Sequence, residues 1–156
     1  MHPIERFPTL DSLLPQFVER AHRMVWGNLT TLDRQGRPRS RVVHPIWDGP
    51  VGWIGTLGHT PKVAQIRRHP YVSIAYTADI ATPVYADCLA SWVDAPAERQ
   101  RIYDLFKHTP EPLGYDPVTA FQGMDLSDFG VIRLDPYRLE VTNFPHGSRV
   151  WQAPDA

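Results

Sequence analysis

The sequence predicts a mainly β domain with flanking helices: an antiparallel barrel of about seven strands carrying about three helices on its outside. Two observations support this. Strand-like runs follow one another through short turns, at Asp33-Arg34-Gln35-Gly36 and at Asp48-Gly49. Strands and helices also fail to alternate regularly, which argues against a doubly wound sheet. The 156 residues, 42% of them hydrophobic, suffice for one core and are too few for two, so a single domain over 1–156 is expected.

Leu10, Leu13, Leu14, Phe17 and Val18 form one apolar stripe at helical spacing. A helix over 11–22 follows, with Asp11 as its cap and Pro15 in the first turn, where a missing N–H costs little. A strand over 23–32 ends in Asp33 to Gly36, the chemistry of a type I turn. A second strand over 38–47 reaches Asp48-Gly49, a hairpin signal, and a third covers 51–56. Short connections make this meander antiparallel, and the strands bearing Arg41 and Thr56 are expected to be hairpin neighbours.

A short helix over 60–69 turns Val63 and Ile66 inward and stops at Pro70. A strand over 71–77 alternates Val72, Ile74 and Tyr76 on one face, and another covers 82–93. Asp94 and Glu98 signal the start of a third helix, with Ile102, Leu105 and Phe106 as its inner face. From 109 to 127 the pattern lapses among Pro110, Pro112, Gly114, Pro117 and Gly123, with one helical turn near 118–121. Connections this long in compact domains are usually lids or mobile segments. Strands over 130–134 and 137–144 follow, split by Asp135-Pro136, and the tail from Pro145 reads as irregular.

A net charge of −1 argues against a general nucleic-acid binder; the arginines at 34, 37, 39 and 41 cluster on one hairpin only. No apolar run approaches the ~20 residues of a membrane span, and the first residues lack the layout of a signal peptide. Cys88 is the single cysteine, in an alternating apolar context that suits a buried, inert thiol. A reducing cytoplasm is therefore expected. His44, His59 and His69 match no metal-ligand spacing. No nucleophile elbow supports hydrolase chemistry.

The stretch Gly58-His59-Thr60-Pro61-Lys62 carries the chemistry. Thr60 is placed to cap the following helix, and Pro61 suits its first position. The free N–H groups and dipole of that helix start would attract an anion, and Lys62 adds a full charge. Upstream, Arg39, Arg41, Val43 and Pro45 share one strand face, and Arg41 is a second, fork-shaped phosphate ligand. Gly55 would let something large approach the strand backbone.

These residues resemble those of the pyridoxamine 5′-phosphate oxidase-like, FMN-binding split-barrel family. The resemblance rests on Arg41-Val42-Val43, the hairpin, Trp53-Ile54-Gly55-Thr56, the six-residue step from Thr56 to Lys62, and the run from Gln65 to Thr77. It covers residues 15–108 and, loosely, the last two predicted strands. It implies a six- to seven-stranded antiparallel split β-barrel and a homodimer with FMN at the subunit interface. Arg41 and Lys62 would hold the flavin phosphate, and Thr60 and Pro61 would complete its turn. Val42, Val43, His44, Pro45 and Ile46 would run along the isoalloxazine edge. Gly55 and Thr56 would contact the flavin from the next strand.

The match has departures. The true oxidase has arginine where Pro61 stands and lysine where Ile46 stands. It also has a glutamine near 83–85, and a C-terminal arginine/histidine motif absent from the run His146 to Ala156. Oxidation of vitamin B6 phosphates is therefore not expected. His44 either donates a hydrogen bond to the ring or is a half-buried strand histidine, and His59 is read as filling the turn. Trp26, Trp47, Trp53 and Trp92 suit core or interface better than cofactor stacking, and Trp53, Tyr85 and Trp92 are the aromatics expected to need a partner's cover.

The expected function is a flavin-dependent oxidoreductase transferring hydride between FMN and a small organic substrate. No catalytic side chain is singled out. One alternative is a reductase using a deazaflavin coenzyme of the F-420 type, whose longer anionic tail the arginine-rich hairpin would suit. The other is a non-catalytic flavin- or haem-binding barrel. The 109–127 segment and the tail around 143–151 are expected to shape the substrate pocket.

Overall fold

A computed structural model describes residues 3–156. In chain order the elements are β1 (Ile4–Arg6), α1 (Leu14–Met24), β2 (Gly27–Leu32), β3 (Pro38–Val43), β4 (Ile46–Asp48), β5 (Val51–Leu57), α2 (Pro61–Arg68), β6 (Tyr71–Tyr76), β7 (Val84–Trp92), α3 (Pro96–His108), α4 (Pro117–Ala120), β8 (Phe129–Asn143) and β9 (Gly147–Gln152).

The hydrogen-bonded neighbours close a ring. β2 pairs with β3 and β6, β6 with β7, β7 with β8, β8 with β5, and β5 with β4, all antiparallel. β3 and β4 are one strand broken at His44-Pro45. Pro45 lacks an N–H and restricts the residue before it, so the ladder cannot run through. Counting that bent strand once gives a six-stranded barrel. β9 extends β8 beyond the ring, and β1 pairs with β9 in parallel.

The break overturns one expectation. Arg41 on β3 faces Leu29 of β2, whereas Thr56 on β5 faces Gly130 of β8; only the β4 half of the bent strand pairs with β5. Pro45 accordingly lies past the end of β3 and does not share its arginine face.

β8 corrects another expectation. The two strands expected on either side of Asp135-Pro136 are one strand of 15 residues. A register shift opposite Asp87 and Cys88 leaves Tyr137 without a partner across the ladder, and Pro136 sits in this bulge, where a missing N–H is tolerated. The bend lets one strand serve β5 with its first half and β9 with its second. The tail expected to be irregular contains β9.

Helix starts also differ. A 3-10 turn at Leu10–Ser12 precedes α1, so Asp11 caps nothing, and α3 begins behind Ala95 rather than capped by Asp94. Residues 23–24, expected in a strand, finish α1. Val25 then takes φ 68°, an uncommon conformation for a β-branched residue, and turns Trp26 outward.

Two cores result. The barrel interior joins Leu29, Ile54, Ile74, Val84, Ile132 and Leu139 to Phe17 of α1 and Val63 and Ile66 of α2. Trp47 donates its indole N–H to the buried Tyr76 hydroxyl at 2.9 Å, and Phe17 meets both rings edge-on. A smaller outer cluster packs Ile102 and Phe106 of α3 on Ile46, Trp53 and Val131. Cys88 is buried, as expected, and burial pushes its thiol up out of the reactive range.

Candidate functional site

α2 starts directly after β5, so Lys62 stands beside Thr56, and the adjacent β2 and β3 bring Thr31 and Arg41 to the same place. Arg41 lies in a closed hydrogen-bonded ring. Its Nη1 donates to Thr31 Oγ1 at 2.6 Å, that hydroxyl donates to Gln65 Oε1 at 2.5 Å, and Arg41 Nη2 donates to the same Oε1 at 3.0 Å. Lys62 Nζ donates to Thr60 Oγ1 at 3.2 Å. Among the described residues neither cation has a carboxylate partner. Burial lowers the pKa of both, and the Arg41 charge lowers that of Lys62 further. Two half-buried cations thus stand close enough to repel each other, with no counter-charge among the described residues.

Thr60 occupies the N-cap position of α2, but its hydroxyl donates back to Leu57 O at 2.8 Å and caps no helix N–H. Pro61 takes the first helical position and is exposed. Gly58 admits Asp128: a Cβ there would stand 2.6 Å from its Oδ1. Asp128 accepts from the His59 backbone N–H and pairs with the His59 ring, so His59 fills the turn, as read from sequence.

Beside this cradle of two cations opens a cavity of about 500 Å³, within the range of small-molecule sites. Val42, Val43, His44, Gly55, Thr56 and Lys62 line it, as do Trp26, Ile54, Tyr115 and Phe121. Six of the eleven predicted binding residues thus meet at one cavity. Arg41 and Thr60 stand behind Lys62 in the cradle. Ile46 does not belong to the site: it is buried in the outer cluster under α3, because the break at Pro45 re-aims the strand.

The 109–127 segment forms one wall of the cavity. His44 Nε2 donates to Leu113 O at 2.7 Å, which fixes the ring and leaves Nδ1 as its acceptor in the neutral form. The His44 ring lies between Trp26, at 4.6 Å, and Tyr115, at 4.8 Å. Burial lowers its pKa, against the opposing effect of the Leu113 carbonyl. Gly55 opens onto this segment as well: a Cβ there would meet the Tyr115 hydroxyl at 2.8 Å. Thr31, Gln65 and Tyr115 escape sequence reasoning. Nothing local marks them, because Gln65 reaches the β2–β3 hairpin from α2, and Tyr115 reaches Gly55 from the 109–127 segment, only in the folded chain.

Trp53, expected to need a partner's cover, is 2% exposed beneath α3 and flanked by Arg101 and Arg133. The exposed apolar side chains at the cavity mouth are Trp26, at 58%, and Val42, at 62%. Among the described residues no cluster of metal-ligating side chains occurs, and no helix is long and apolar enough to cross a membrane.

No family model matches the chain, and no curated protein matches it in sequence. Solved structures do match. A candidate pyridoxamine 5′-phosphate oxidase from Listeria innocua superposes with a TM-score of 0.67 at 22% identity, over 84% of this chain and 98% of that one. A pyridoxamine 5′-phosphate oxidase-related, FMN-binding protein of Nostoc punctiforme gives 0.64 at 15% identity, over 85% of each chain. The chain has the pyridoxamine 5′-phosphate oxidase-like split-barrel fold. The same split barrel is found in HutZ, the haem storage protein of Vibrio cholerae, with a TM-score of 0.57 at 23% identity, over 80% of this chain and 89% of that one. The fold thus serves flavin binding in one of these proteins and haem storage in another, so cofactor choice must be argued from this split barrel's own cavity.

Proposed function

We propose that the protein is a flavin-dependent oxidoreductase that binds FMN in this cavity and exchanges hydride with a small organic substrate. The observation that carries the reading is the convergence of Arg41 and Lys62, without a carboxylate, at the edge of an aromatic-walled cavity. A phosphate suits the cradle, and a flat ring suits the walls of Trp26, Val42, His44 and Tyr115. FMN would supply the hydride chemistry when bound. The chain's own residues do the rest. Gln65 and Thr31 hold the Arg41 fork in place. Lys62 neutralises the anion. The 109–127 segment excludes water from the ring face, and Thr56 offers a hydroxyl beside it.

Homodimerisation belongs to the same proposal. Trp26 and Val42 present apolar surface at the cavity mouth, and an isologous partner would cover both and complete the wall. The proposed location is the cytoplasm, in keeping with one buried cysteine.

A deazaflavin coenzyme of the F-420 type is the second reading. Its support is that Arg34 and Arg37 are exposed and free of ion pairs among the described residues, available to a longer anionic tail. A non-catalytic haem-binding barrel is a further reading: His44 donates Nε2–H to the Leu113 carbonyl and keeps Nδ1 as an acceptor, the arrangement of a metal-ligating imidazole.

The test is reconstitution followed by absorbance spectroscopy and anaerobic addition of a nicotinamide donor. A bound flavin spectrum that bleaches on reduction and recovers with an organic acceptor supports the enzyme. A flavin that binds and never turns over supports a binding protein, and uptake of haem alone overturns the reading.

A further inference from the structure

We infer that Tyr115, on the segment over the cavity, is a ligand-contacting residue: its hydroxyl donates a hydrogen bond to an acceptor atom on the edge of the flat heteroaromatic ring held there. The inference rests on the flavin reading and adds to it a contact from outside the barrel strands.

Four observations lead to it. The Tyr115 ring is held from both sides, stacked on Phe106 at 5.0 Å and against His44 at 4.8 Å, so its direction is fixed. Its own backbone is held too, with Tyr115 N–H donating to Phe106 O at 2.9 Å and Gly114 N–H to Pro110 O at 2.9 Å. The hydroxyl lies against Gly55, a strand position without a side chain, and both residues line the cavity. Among the described residues no group pairs with that hydroxyl, and it is not sealed from solvent but opens to the cavity. Burial raises its pKa, so at neutral pH it is a neutral O–H. A donor fixed in direction, facing a cavity and lacking a protein acceptor is arranged for an acceptor on the ligand.

The consequence is a specific pattern. A contact to the ring affects FMN and riboflavin alike, whereas a contact to the phosphate affects FMN alone. Tyr115→Phe removes one oxygen and keeps the stacking. It should weaken both flavins by the same factor, about three- to tenfold for one hydrogen bond. It should also shift the visible absorption band of the bound flavin. Since the hydroxyl has no protein partner, the melting temperature of the ligand-free protein should not change.

The measurement is a fluorescence titration of wild type, Tyr115→Phe and Lys62→Ala with FMN and with riboflavin, alongside thermal melts without ligand. Equal losses for both flavins in Tyr115→Phe, with an unchanged melt, support the contact. Unchanged affinity, a loss confined to FMN, or a lowered ligand-free melting temperature overturns it. Wild type that binds FMN, with Lys62→Ala weakened and Tyr115→Phe unaffected, defeats this inference and leaves the flavin reading standing. Wild type that binds neither flavin defeats both.

Discussion

Gln65→Glu should strengthen the protein while weakening its proposed ligand. Gln65 Oε1 accepts from both Thr31 and Arg41, the latter at 3.0 Å, inside a cradle that holds two cations and no carboxylate. Glutamate has nearly the same shape, so the ring of hydrogen bonds can persist with a charged acceptor. Two unit charges 4 Å apart attract by about 4 kcal/mol at an effective dielectric of 20. Desolvation and screening offset most of that at a half-exposed site, leaving about 1 kcal/mol. For a chain of this size that is about 2–4 °C in melting temperature. The same carboxylate repels a phosphate arriving between Arg41 and Lys62. Losing about 1.4–3 kcal/mol of charge-assisted binding corresponds to roughly ten- to a hundredfold in FMN affinity. Riboflavin, with no phosphate, should bind as before. Gln65→Leu is the control, since it removes the acceptor and should lower stability. The assays are thermal melts without ligand and fluorescence titrations at fixed ionic strength. Unchanged FMN affinity in Gln65→Glu would show that no anion sits at this cradle.

Gly114→Ala would place a Cβ 1.7 Å from Thr109 O, a backbone atom that cannot yield, so the 109–127 segment should lose protection in hydrogen exchange while β6 and β7 keep theirs. His22 Nε2 accepts the Trp47 backbone N–H at 3.0 Å, which requires an unprotonated ring, and burial holds its pKa below the ordinary 6.5. A group depressed in the folded state contributes stability that is complete above its unfolded pKa and is lost as pH falls toward its folded one. Denaturant unfolding at pH 7.5 and 5.5 should therefore show a loss on acidification that His22→Gln reduces. Light scattering at micromolar concentration should give twice the 17.8 kDa chain mass, and Trp26→Lys, which puts a charge on the proposed interface, should shift it toward one chain.

Local chemistry was legible in the sequence. Asp33 and Gly36 form the expected turn, with Gly36 N–H on Asp33 O and Gly36 at φ 72°, and Gly49 takes φ 59° in the second hairpin. Lys62 could be placed at the cavity because Pro61 fixed the helix start one residue earlier. What was not legible depends on tertiary partners. Pro136 reads as a strand end, and only the bulge opposite Cys88 shows that β8 runs through it. Pro45 reads as part of a strand face, yet it breaks the strand and sends Ile46 into the α3 core. Trp53 reads as interface because an alternating strand cannot announce the helix that covers it. Tyr115 lies in a proline-punctuated stretch with no periodicity, and only the contact of its segment with His44 and Gly55 gives it a place in the site.

The central claim is that Arg41 and Lys62 form a phosphate site for a flavin. Lys62→Ala tests it most directly, in a titration against FMN and riboflavin at fixed, low ionic strength, because screening by salt would mask the difference. Losing one charge-assisted hydrogen bond of about 1.5–3 kcal/mol should weaken FMN roughly ten- to a hundredfold and leave riboflavin within about twofold. Arg68→Ala, at the far end of α2, should change neither. Equal affinity of wild type and Lys62→Ala for FMN would contradict the account.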